Sequence, residues 1–80
     1  MSKEQISELT LMLLYLTSWT ENERGLSAYQ RSWKGYDFDI LNELSDQELI
    51  TDVKRSKSVG ITSDGIAKAR ELLKKYVLEE

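Results

Sequence analysis

Between Ile6 and Trp19 the chain carries apolar side chains on almost every side of a helix. Ile6, Leu9, Leu13 and Leu16 recur at helical spacing, and Met12, Tyr15 and Trp19 fill the neighbouring stripe. Leu11 and Leu14 carry the apolar surface most of the way round. Such a helix has to be covered on all sides. The chain is only 80 residues long, and a domain of that size buries about 60–65% of the surface its unfolded chain exposes. Two arrangements answer the demand. Either this helix is the centre of the core, or one face of it, through Leu11, Met12 and Leu14, packs against a second copy of the chain. Ser2 followed by Gln5 has the spacing of a capping box and marks the helix start.

Composition removes several chemistries. There is no cysteine and no histidine, hence no disulfide framework, no Cys/His zinc site, no thiol nucleophile and no imidazole base. The longest apolar run, Leu11–Leu16, is far short of the roughly 20 residues a membrane span needs. No secretory leader is visible near Lys3 and Glu4, so a cytoplasmic location is expected. With 40% hydrophobic and 31% charged residues, residues 1–80 read as one globular domain rather than a disordered chain.

Along the chain, Thr20–Leu26 reads as a loop containing Gly25. Ser27 with Gln30 repeats the capping-box spacing, Tyr29, Trp33 and Tyr36 follow at helical intervals, and Gly35 stands where a C-cap glycine would; a short helix over Ser27–Lys34 is predicted. Asp37 then suits the N-cap of a further helix carrying Ile40, Leu41 and Leu44. After Glu48, two apolar runs, Leu49–Val53 and Val59–Ile61, joined by the polar Lys54-Arg55-Ser56-Lys57, predict a β-hairpin. Which face Ile50 and Val53 take stays open, since they are three apart. Thr62 caps a final helix whose stripe is Ile66, Ala69, Leu73 and Tyr76, with Glu71 and Lys75 spaced as an ion pair. Six of the seven aromatic residues lie between Tyr15 and Phe38, which places the core's centre there and makes Trp33 a core residue; a small-ligand pocket lined by Tyr29, Trp33, Tyr36 and Phe38 is the alternative. The predicted fold is mainly α with one β-hairpin, in the order helix, helix, helix, hairpin, helix, which is a winged helix-turn-helix-like arrangement.

Two resemblances support this reading. From Leu44 to Arg70, through the Leu49-Ile50 pair, the Lys57-Ser58-Val59 strand and Ile61-Thr62-Ser63-Asp64-Gly65, the chain resembles small bacterial winged-helix regulators of the multiple-antibiotic-resistance and phenolic-acid-repressor type. The whole chain resembles a family of small uncharacterised bacterial proteins, through Leu13-Leu14-Tyr15-Leu16-Thr17 and the segment Trp33-Lys34-Gly35-Tyr36-Asp37-Phe38-Asp39. That second likeness implies no activity. Winged-helix chains often carry glycine where Glu48 stands, so the preceding helix is expected to end differently here.

Charge decides between functions. The helix positioned to read DNA carries Asp37, Asp39, Glu43, Asp46 and Glu48 and no base, against a duplex with one negative charge per about 1.7 Å. Residues 1–52 hold four bases and ten acids, whereas residues 53–75 hold seven bases and two acids. The expected function is therefore a non-catalytic regulatory or protein-interaction module, with Asp39, Glu43 and Asp46 facing a protein partner or a second copy. The alternative is a DNA-binding regulator touching phosphates through Lys54, Arg55 and Lys57 at the wing. Asp37, Asp39 and Glu43 lack the further ligands of a calcium loop, the glycines form no phosphate cradle, and no cofactor or metal site is expected.

Overall fold

A computed structural model describes residues 1–21, 29–54 and 57–76. Ser27, Arg55 and Val77, each given a place in the predicted elements, lie outside the described residues.

The elements run α1 (Lys3–Leu16), β1 (Trp19–Glu21), β2 (Tyr29–Trp33), α2 (Phe38–Asp46), β3 (Ile50–Thr51), β4 (Ser58–Ile61) and α3 (Ser63–Lys75). All three helices begin where their caps predict. The Ser2 hydroxyl accepts the Gln5 amide at 3.1 Å while the Gln5 side chain accepts the Ser2 amide at 3.0 Å, closing the capping box. Asp37 Oδ1 accepts the amides of Asp39 and Ile40, and Thr62 Oγ1 accepts that of Gly65.

The predicted helix over Ser27–Lys34 is not formed: Tyr29–Trp33 is a strand, paired antiparallel with β1 on one side and β4 on the other. Tyr29, Trp33 and Tyr36 fit a helical period, but aromatic residues are equally at home in strands. The hydrogen bonds that settle the matter come from Ser58–Ile61, about thirty residues away, where no local signal reaches. Gly35 accordingly caps no helix, and the predicted helix-turn-helix pair is not formed among the described residues. What holds of the predicted order is α1, then α2, the β3–β4 hairpin and α3. The described residues form a small mixed α/β structure of three helices and a four-stranded antiparallel sheet in the order β1-β2-β4-β3.

Helix α2 ends in the way Glu48 was expected to prevent. Glu48 adopts φ 61, its amide bonds the Ser45 carbonyl, and the Leu49 amide bonds the Leu44 carbonyl at 3.0 Å. These are the two bonds of a Schellman motif, with Leu49 packed back onto the core as the accompanying apolar contact. Asp52 also has a positive φ, 65. The turn there explains how Ile50 and Val53, three apart, are both buried.

The core is aliphatic. Leu11, Met12 and Leu14 of α1 meet Ile40, Leu41 and Leu44 of α2, Ile50, Val53, Val59 and Ile61 of the β3–β4 hairpin, and Ala69, Leu72 and Leu73 of α3. Tyr15, Tyr36 and Tyr76 edge it as partly buried side chains. The expectation that Trp33 lies in the core fails: Trp33 is 65% and Phe38 58% exposed. Alternation along β2 explains it. Ser32 turns inward, where its hydroxyl lies 3.2 Å from that of Thr17 after α1, so Arg31 and Trp33 turn to the face away from the helices. An antiparallel sheet covered on one side leaves its other face to solvent.

Candidate interaction surfaces

The outward side of α1 is apolar. Ile6, Leu13 and Leu16 are 42%, 48% and 42% exposed, and Leu9 between them is half-buried. This reverses the expected division of the helix. Leu11, Met12 and Leu14, assigned to a contact with a second copy, are at most 2% exposed within the single chain and have no surface to offer. The physical reason lies in the charges of α1. Lys3 reaches Glu43 on α2 at 3.8 Å, and Glu8 is held by α3, accepting from Lys75 Nζ at 3.1 Å and from the Tyr76 hydroxyl at 2.8 Å. The charged side of α1 therefore faces its own neighbours. Lys75, spaced to pair with Glu71, is taken by Glu8 instead. The Tyr76 hydrogen bond first, and then that of Lys75, hold the Glu8 carboxyl below its ordinary range, while Lys75 and Tyr76 are raised by the same contacts.

The sheet's open face carries a second surface. Trp19 and Trp33 stack at 4.9 Å between ring centroids, tilted by 44°. Beside them Arg31 lies flat across β4, donating from Nε to the Ser58 hydroxyl and from Nη2 to the Ser58 carbonyl, both at 2.8 Å, and from Nη1 to Asp52 at 3.1 Å. Gly60 leaves room for the Thr51 hydroxyl beside it: a Cβ there would meet Thr51 Oγ1 at 2.6 Å, while Arg31 Nη1 would stand at an ordinary contact of 3.7 Å. Arg31 thus ties three segments together and is committed to structure.

The acidic residues of α2 divide. Asp39 and Asp46 are exposed, whereas Glu43 is partly covered and shared with Lys3. Asp46 and Glu48 line a shallow groove of about 890 Å³ that runs past Thr51 and Asp52 to Lys54. A smaller cleft of about 150 Å³ between the three helices is lined by Glu4, Glu8, Glu43 and Lys68, and the buried Ser7 hydroxyl in it has no hydrogen-bond partner among the described residues. At the hairpin, Lys54 and Lys57 are exposed, and Arg55 between them lies outside the described residues. Among the described residues no cluster of three carboxylates is arranged to hold a metal ion, and no helix is long and apolar enough to cross a membrane.

Neither the stripe of α1 nor the pair of Trp19 and Trp33 is read from the sequence as an exposed surface. The available signal was the placement of Glu4 and Glu8 on the far side of the helix from Ile6 and Leu13, with Lys3, three residues from Ile6, at its edge. It misleads, because charges on a helix ordinarily mark the solvent side.

Comparison with known proteins agrees with a small uncharacterised family. The family described as a domain of unknown function, DUF6429, matches residues 2–79. An uncharacterised protein, y4hR, of Sinorhizobium fredii (strain NBRC 101917 / NGR234) is 34% identical over 74 residues, covering 91% of this chain and 89% of the relative. No solved structure matches.

Proposed function

The chain belongs to the DUF6429 family, a domain of unknown function, and we propose that it is a non-catalytic interaction module that docks a protein partner through the outward face of α1. One observation carries this reading: Ile6, Leu13 and Leu16 stand 42–48% exposed on a helix whose Glu8 is held against α3. Contiguous apolar surface of that kind marks contact sites in small proteins. The absence of histidine and cysteine and the shallowness of the groove beside α2 favour binding over catalysis. Asp39 and Asp46 form an acidic flank that disfavours nucleic acid and suits a neutral or basic partner.

A second reading is favoured by Lys54 and Lys57, both exposed at the β3–β4 hairpin: contact with DNA phosphates from the hairpin tip. The winged-helix likeness extends only over α2, β3, β4 and α3, and α2 is acidic, so this reading ranks second.

A photoreactive benzoyl-phenylalanine placed singly at positions 13, 46 and 57 separates the readings in the cells that make the protein. Protein adducts at position 13 are expected. Their absence at 13, together with nucleic-acid adducts at 57 and saturable micromolar binding of random duplex that Lys54→Glu/Arg55→Glu/Lys57→Glu abolishes, overturns the proposal.

A further inference from the structure

The outward face of α1 has the form of one half of a symmetric helix pair. Ile6, Leu9, Leu13 and Leu16 follow at intervals of three, four and three, the seam spacing by which one helix packs along another at a shallow crossing angle. This spacing is the same read from either end. Turned end for end about a two-fold axis at the level of Leu11, Ile6 meets Leu16 of a second copy and Leu9 meets Leu13. Gln5 falls opposite Thr17, an amide against a hydroxyl. A closed two-fold contact requires this self-complementarity.

Electrostatics selects the same face. Each copy carries a net charge of −3, and two acidic chains repel most where carboxylates are set opposite one another. The acidic surface of α2 would do that. The α1 stripe would not, because Lys3 and Glu8 are turned to α2 and α3 and Glu4 lines the cleft between the helices. Building on the interaction-module reading, we infer that the partner seated on this stripe is α1 of a second copy, running antiparallel. Fourteen residues of helix span about 21 Å. Four seam side chains per copy cover less than the roughly 800 Å² per partner of a standard interface, so the dimer is weak, with a Kd on the order of 10–100 μM.

The chain contains no cysteine, which makes the test clean. Ile6→Cys and Leu16→Cys are prepared separately, then mixed and oxidised. Cross-linked heterodimers of the two variants are expected, with neither variant linking to itself when alone. Sedimentation of the unaltered chain should show dimer within the stated range. Leu13→Gln and Leu13→Glu, at a half-exposed position, should keep helical circular dichroism and weaken association at least about 30-fold. A chain that sediments as monomer at about 500 μM, well above that range, overturns the inference. So does linking of each variant to itself and not to the other. Adducts at position 13 at masses other than twice the chain would remove the self-pairing while leaving the interaction module in place.

Discussion

Gly65 is the position where the smallest change should do the most damage. It sits in the first turn of α3 against the chain that leaves α2, and a Cβ there would lie 2.1 Å from the Leu49 carbonyl oxygen and 2.9 Å from Ile61 Cγ2. Carbon and carbonyl oxygen ordinarily approach no closer than about 3.3 Å, so Gly65→Ala forces a relative shift of roughly 1.2 Å. The oxygen cannot simply retreat. It accepts the Thr62 amide at 3.1 Å and the Thr62 hydroxyl at 3.1 Å, and Thr62 is the residue that caps α3. Overpacking of this kind costs about 1–3 kcal/mol, and weakening two hydrogen bonds adds roughly 1 kcal/mol each. The better helix propensity of alanine returns about 1 kcal/mol. The net loss is about 2–4 kcal/mol, against a total stability on the order of 4–12 kcal/mol for a chain this size. Thermal unfolding followed by far-ultraviolet circular dichroism should therefore show Tm lowered by about 10–25 °C. Gly35→Ala is the control: nothing lies within 4 Å of the added carbon, and its effect should stay within about 1 kcal/mol. A Gly65→Ala protein as stable as the unaltered chain would refute the reasoning, because it would mean that α3 does not rest on the Leu49 carbonyl.

Three further outcomes are expected. Glu48→Gly relieves the left-handed backbone at the end of α2 and should stabilise by about 0.5–1 kcal/mol in urea unfolding; a loss would argue against the Schellman ending. Trp33→Ala, at a 65% exposed site, should stay folded with a loss near 1 kcal/mol, whereas Leu41→Ala, 1% exposed, should cost about 2–5 kcal/mol; reversal of that order would restore tryptophan to the core. The Glu8 contacts depress its carboxyl and raise Lys75 and Tyr76, so the stabilisation is complete near neutral pH. It is lost as pH falls below the ordinary glutamate value of 4.5, and again as pH rises beyond the ordinary tyrosine and lysine values of 10.0 and 10.5. Glu8→Gln should flatten the acid limb of a stability–pH curve, and an unchanged limb would show that the contact is not maintained in solution.

The parts of the fold that could be read from sequence are those with local causes. Ser2, Asp37 and Thr62 announce helices because a side-chain oxygen has to satisfy amides two or three residues on. The β3–β4 hairpin is legible for a similar reason, through its turn and its β-branched flanks. Tyr29–Trp33 is not, because its identity depends on partners at both edges, one of them supplied by residues 58–61. The outward face of α1 escapes the sequence for a subtler reason. An all-round apolar helix is plain in the sequence, but which side faces out depends on where α2 and α3 bring Glu43, Lys75 and Tyr76, and those side chains draw the polar flank of α1 inward.

The order in which the strands lie alongside one another bears on how the chain is made. Because β2 joins β4 rather than β3, Gln30 waits for Ile61 and Ser32 for Val59, while Glu8 waits for Lys75. On a ribosome, β2 can pair with β1 early, but its other edge has no partner until residues 58–61 have been added, and Glu8 none until Lys75 has. Closure of so non-local a network comes late and slowly, and until then the apolar residues of α1 lack the cover of α3. A tethered chain in that condition is a natural client for a holding chaperone.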